Sequence, residues 1–251
     1  MTRLIAAEIT KIVRSRTTVA LTVIGMLLIG VGGLFFLIDD TFTGVFAGTD
    51  AQVAALFDQI GGAYIVVLIV GVLSLTTEFR HGTIGRTLML TPSRTVVLAV
   101  KLAASSVYAL VFTAIGVGTV TAVLAVSGEF SNATFGSQTW RSIAVAPLGL
   151  ILAAAFGVAI GAVVRSQVLT IAGTLIYAFL VETLIGQFFG TVARWLPFQA
   201  LGGVFSSPET RASIPDGFPM PLEIGTAITV FAFYVIVLAV AAVTLMRFRD
   251  V

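Results

Sequence analysis

The chain has no cysteine. That removes a disulfide framework, thiolate catalysis and any zinc site built on thiolates. It holds one histidine, His81, and two lysines, Lys11 and Lys101. A Cys/His nucleophile or a histidine-rich metal centre goes with them. A GxxxxGK[ST] phosphate loop needs glycine before its lysine, but Thr10 precedes Lys11 and Val100 precedes Lys101. The chain therefore binds no ATP by that route. It also lacks a GxSxG nucleophile turn. Charge of either sign is scarce, at 10% of residues against about 25% in a soluble domain. The basic residues sit at segment ends rather than on one face. That is a membrane-topology pattern, and it excludes a nucleic-acid partner.

Apolar residues fill the space that charge leaves. They make up 58% of the 251 residues, and the mean hydropathy is +1.09. A membrane span needs about 20 apolar residues. Six stretches qualify: residues 19–38, 61–77, 97–126, 143–164, 168–187 and 224–246. The run at 19–38 is too long for a signal-peptide core and no cleavage motif follows it, so it reads as a retained first span. The expected fold is an all-α integral membrane protein, a single permease-like domain over residues 1–251 with no soluble catalytic domain.

Charge placement sets the orientation. Arg3, Lys11, Arg14, Arg16, Arg80, Arg86, Arg94, Lys101, Arg165, Arg247 and Arg249, eleven of the 14 basic residues, flank one set of connections. Eight of the 12 acids fall in the alternate set: Asp39, Asp40, Asp50, Asp58, Glu129, Glu209, Asp216 and Glu223. The positive-inside rule puts both termini in the cytoplasm of a multi-pass plasma-membrane protein. Residues 1–17 carry Leu4, Ile5, Ile9, Ile12 and Val13 on one helical face, with Arg3, Lys11 and Arg14 away from its centre, which predicts an amphipathic helix lying on membrane lipid. Lys101 is placed at the inner interface, where it can snorkel. Thr91 as N-cap and Pro92 at the first helical position predict the start of the third span. The spacing of Gly157 and Gly161 permits close helix contact, and the short 165–167 turn makes spans four and five a tight hairpin. Residues 186–222 are too apolar for a solvated loop and too broken for a span. They read as short re-entrant or interfacial helices followed by a proline-rich connection, with Trp195 at the interface.

Residues 78–94 read EFRHGTIGRTLMLTPSR. Glu78, Phe79, Arg80, Gly82, Thr83, Pro92 and Arg94 follow the order of the cytoplasmic connection after the second span in ABC-2 type transporter permeases. The chain resembles that family, in topology throughout and in residues over this segment. The resemblance implies a coupling helix between spans two and three that receives motion from a separate ATPase. Gly82 or Thr83 starts that helix on this reading. Ile84 and Leu88 share a face at i, i+4, with Met89 beside them, and Arg86 and Arg80 pair with acids or lipid phosphate. The plainer alternative is a local Glu78–Arg80 bridge and arginines that serve topology alone. The resemblance further implies two ABC ATPase subunits that carry ATP and magnesium, a second permease, identical or homologous, and export of a lipophilic or amphipathic substrate by efflux. This chain is then a transport subunit, not an enzyme, and binds no cofactor itself. The competing readings are a non-transport membrane anchor or sensor, and a stand-alone secondary carrier. The carrier is disfavoured because Glu182 is the single acid deep in a span. Glu182 lies about 14 residues, or about 21 Å, beyond the inner end of span five. It lines a substrate path or a permease–permease contact on one reading, and bonds Gln187 or Arg194 on the other.

Overall fold

The computed structural model describes residues 2–38, 46–83, 85, 93–208, 211 and 220–248. Among these there is no strand, and six helical segments are long and apolar enough to cross a membrane. In chain order the helices are α1 (Thr2–Arg14), α2 (Arg16–Ile38), α3 (Asp50–Gly62), α4 (Tyr64–Arg80), α5 (Arg94–Val126), α6 (Ser137–Val164), α7 (Gln167–Ile176), α8 (Glu182–Phe188), α9 (Gly190–Ala193), α10 (Pro197–Val204) and α11 (Ile224–Phe248). The spans are α2, α3–α4 together, α5, α6, α7–α8 together, and α11.

The second span is longer than the sequence predicts. It begins at Asp50 rather than near residue 61, and the Gly61–Gly62 pair precedes a break at Ala63. Asp50 and Asp58 mark a loop by composition, yet both lie in α3. Their charges are satisfied by backbone amides from other segments, so neither prevents the helix from packing. Thr49 caps α3 by accepting from the Gln52 amide at 3.3 Å.

Spans two and four form the centre. Of the most apolar stretch of the second span 61% is buried, against 11% for the last span. Small residues bring the two backbones together. A Cβ on Gly157 would strike the Leu68 carbonyl, and one on Gly71 would strike the Ala154 carbonyl. The Gly157/Gly161 spacing therefore works as predicted, but against α4 and not against its hairpin partner α7. Phe57, Ile60, Phe112 and Leu150 fill one layer of the core, Leu68, Phe156, Phe198 and Phe231 a second, and Leu75, Leu98, Val158 and Met246 a third.

Span five is interrupted near its end, and the short helices α9 and α10 follow it. Tyr177–Val181 forms a π turn before α8, and Pro197 opens α10. Trp195 is half exposed. Most of the proline-rich connection, residues 209–210 and 212–219, lies outside the described residues.

Candidate functional site at the basic end of the bundle

The end of the bundle that carries α1, the foot of α4, the start of α5 and the α6–α7 turn gathers most of the described cations. Its centre is a cluster of four charges. Lys101 is 1% exposed. Its Nζ donates to Glu78 Oε1 at 2.9 Å, to Glu8 Oε2 at 3.0 Å and to the Ser74 carbonyl at 2.7 Å. An ammonium has three N–H donors, so all of them are used. Lys11 Nζ bridges the same carboxylates, donating to Glu8 Oε1 and to Glu78 Oε1 at 3.1 Å. Two lysines thus neutralise two carboxylates, and they are the only lysines in the chain.

Local sequence explains the convergence. Ser74 and Glu78 are four apart on α4 and share a face. Glu8 and Ile12 are four apart on α1 and are its two buried residues. The α1 face that meets protein therefore carries an acid, while Leu4 and Val13 stay exposed. Removing one partner from such a buried pair typically costs about 3–5 kcal/mol, because the survivor is left uncompensated. Lys101 does not snorkel. α1 covers it, and two carboxylates replace its hydration. Burial pulls the Lys11 pKa down, but the Glu8 hydrogen bond and the Glu78 charge outweigh burial and hold it above the ordinary lysine value.

The residues after Glu78 serve different ends. Arg80 Nη1 donates to Gln167 Oε1 at 3.3 Å, and no Glu78–Arg80 bridge occurs among the described contacts. Phe79 lies under the Arg165 guanidinium, 5.4 Å from the ring centroid. Arg165 in turn donates to the Leu245 carbonyl at 3.1 Å, tying the α6–α7 turn to the last span.

Gly82 ends α4, and the helix expected to open after it lies largely outside the described residues. The Gly82 φ is +64°, its amide donates to the Phe79 carbonyl at 3.3 Å, and the Thr83 amide donates to the Glu78 carbonyl at 3.0 Å. These are the paired bonds of a Schellman stop, which needs a left-handed residue where Gly82 stands. Thr83 follows outside the helix. Ile84, Arg86 and Leu88, with Thr91 and Pro92, lie outside the described residues. α5 begins at Arg94 with Ser93 extended at the cap position.

A cavity of about 260 Å³ opens beside the cluster, between α1, the start of α2, α4 and Gln167. Its wall includes Glu8, Lys11, Glu78 and Arg80.

The opposite end is arranged otherwise. The Asp50 carboxylate accepts from the Gly136, Gln138 and Thr139 amides at 2.8–3.0 Å and from the Thr139 hydroxyl at 2.7 Å. It caps the N-terminus of α6. Asp58 accepts from the Ser207 amide at 2.8 Å. Glu182 is fully enclosed, at 0% exposure, and accepts from the Phe198 and Gln199 amides at 3.1 and 2.8 Å. It caps α10, and neither Gln187 nor Arg194 is its partner in these bonds. The Arg194 guanidinium lies 5.8 Å from the Trp195 ring centroid.

The structure thus brings Glu78, Phe79, Arg80, Gly82 and Thr83 together at one end, and sets Glu182 apart from them. Sequence reasoning missed Glu8 and the pairing role of Lys101. The available signal was that the only two lysines of the chain and two of its acids all stand at the ends of apolar runs on the same side. Neither family models nor curated proteins match this chain.

Proposed function

We propose that this chain is the transmembrane permease subunit of an ATP-binding-cassette transporter of the ABC-2 type. It exports a lipophilic or amphipathic substrate, paired with a second permease and driven by two copies of a separate ATPase that hold ATP and magnesium. Its basic end faces the cytoplasm. One observation supports this most. The segment that resembles the family, Glu78 to Thr83, stands at the foot of the central span, and Glu78 shares its charge with Lys11 and Lys101. A push on the connection after Thr83 meets the helix stop at Gly82 and then Glu78. Through the shared charges α1, α4 and α5 move as one lever. A basic loop that served topology alone would have no need of such ties.

The test is co-purification of the full chain with a candidate ATPase. The expected result is a stable complex in which ATP hydrolysis rises. Glu78→Gln and Arg80→Ala each return hydrolysis toward the rate of the free ATPase while the permease still reaches the membrane. Transport that survives ATP depletion and collapses with the ion gradient would overturn this in favour of a stand-alone carrier. A complex without ATPase stimulation or transport would point to an anchor or sensor. Orientation is tested separately: a reporter active only outside the cell gives signal when fused after Ser131 and none when fused at the C-terminus.

A further inference from the structure

We infer that the cavity between α1, α2 and α4 is a binding site for the phosphodiester head group of an anionic phospholipid. Its volume, about 260 Å³, is below the roughly 300–1,000 Å³ of drug-sized sites and suits a head group. Its lining mixes apolar Ile12, Val70 and Leu73 with Lys11, Arg80, His81, Ser15, Thr17 and Gln167. Charge decides the sign of the ligand. The two carboxylates on the wall, Glu8 and Glu78, are already held by Lys101 and Lys11. Arg80 stands beyond that balance with a neutral amide, Gln167, as its partner. One positive charge is therefore in excess at the cavity, which matches one phosphodiester.

Position decides the source. The cavity lies where an amphipathic helix with exposed Leu4 and Val13 meets the end of three spans, the level at which a bilayer presents its phosphates. Basic pockets between spans at that level recognise lipid head groups. Ser15 and Thr17 lie at the α1–α2 junction and add hydroxyl donors. The bound lipid is a structural ligand that seats α1 against the bundle. This inference does not depend on the exporter reading.

The experiment is native mass spectrometry of the detergent-solubilised full chain, titrated in separate arms with phosphatidylglycerol, phosphatidylcholine and inorganic phosphate. One phosphatidylglycerol per chain is expected at the lowest concentrations, with phosphatidylcholine weaker and inorganic phosphate not competing at equal concentration. Arg80→Gln leaves the four-charge cluster intact and should weaken phosphatidylglycerol binding by about fivefold, and Arg80→Gln with Lys11→Gln by about thirtyfold. Arg14→Gln, on α1 but off the cavity wall, should leave binding within about twofold, as expected for surface charge alone. Three results would overturn the assignment: no preference between the two lipids, equal loss in Arg14→Gln and Arg80→Gln, or displacement of the lipid by equimolar inorganic phosphate.

Discussion

The two ends of this molecule hold their acids in opposite ways. At the basic end Glu8 and Glu78 are answered by other side chains, Lys11 and Lys101, and the four residues come from three helices. At the other end Asp50 and Glu182 are answered by the backbone, in each case the free amides at a helix N-terminus. The distinction is physical. A helix N-terminus carries a partial positive charge that its own backbone holds in place. A lysine on a flexible stem can exchange partners. The backbone-capped end is suited to holding α6 and α10 in place. The side-chain-paired end ties α1, α4 and α5 to one another, and Glu78 to Thr83 stand at that end.

The largest expected effect comes from breaking the basic end at its most buried charge. Lys101→Met leaves two enclosed carboxylates facing Lys11 alone, and should cost about 3–5 kcal/mol. Thermal unfolding of the solubilised protein measures it. Adding Glu8→Gln to Lys101→Met removes the surplus negative charge, so the double variant should be more stable than Lys101→Met alone. Equal stability of the two would show that the cluster does not share its charge as the geometry implies.

At the capped end the effects should be smaller. Asp50→Asn keeps one acceptor for the α6 amides and loses the charge on the helix dipole, for about 1–2 kcal/mol. Glu182→Gln keeps one acceptor for two amides and leaves the other unmet in an enclosed site, for about 1–3 kcal/mol. Neither substitution should respond to Glu8→Gln, because no charged group is shared between the ends. A double-variant cycle that returned a coupling beyond about 0.5 kcal/mol would show the two ends to be linked.

Sequence patterns reveal one end better than the other. The spans were legible because apolar length suffices to mark them, and α5, α6 and α11 fall where expected. Asp50–Gly62 was not legible as helix, since a carboxylate every eight residues marks a loop unless its amide partners are known, and those lie at residues 136–139 and 207. Glu182 stood out as an isolated acid, but its partners at 198 and 199 exist only because a π turn and two short helices fold back on it. Gly82 was seen as a helix boundary, but its part in ending α4 was not, because the positive φ that makes the stop is not visible in sequence. Lys101 was expected to snorkel, and its true environment was hidden because Glu8 is 93 residues away in sequence.

The smallest effect, and the one that separates the ends most cleanly, is alkaline titration. Lys11 has a folded pKa above its ordinary 10.5 because two carboxylates hold its proton. A raised folded pKa contributes stability that is fully present below the unfolded pKa and is lost as pH rises through the folded one. Between neutrality and about pH 10 the Lys11 contribution should therefore be constant, and it should decline only above the ordinary lysine range. Lys11 is more than half exposed, so solvent screening keeps the decline small. Asp50 is held by amides and a hydroxyl and shares no charge with Lys11. Melting temperature followed from pH 8 to pH 11.5 should fall less in Lys11→Met than in the parent chain, while Asp50→Asn should fall in parallel with the parent. A parallel fall in Lys11→Met would mean that the alkaline loss arises elsewhere and that Lys11 is not held by the cluster.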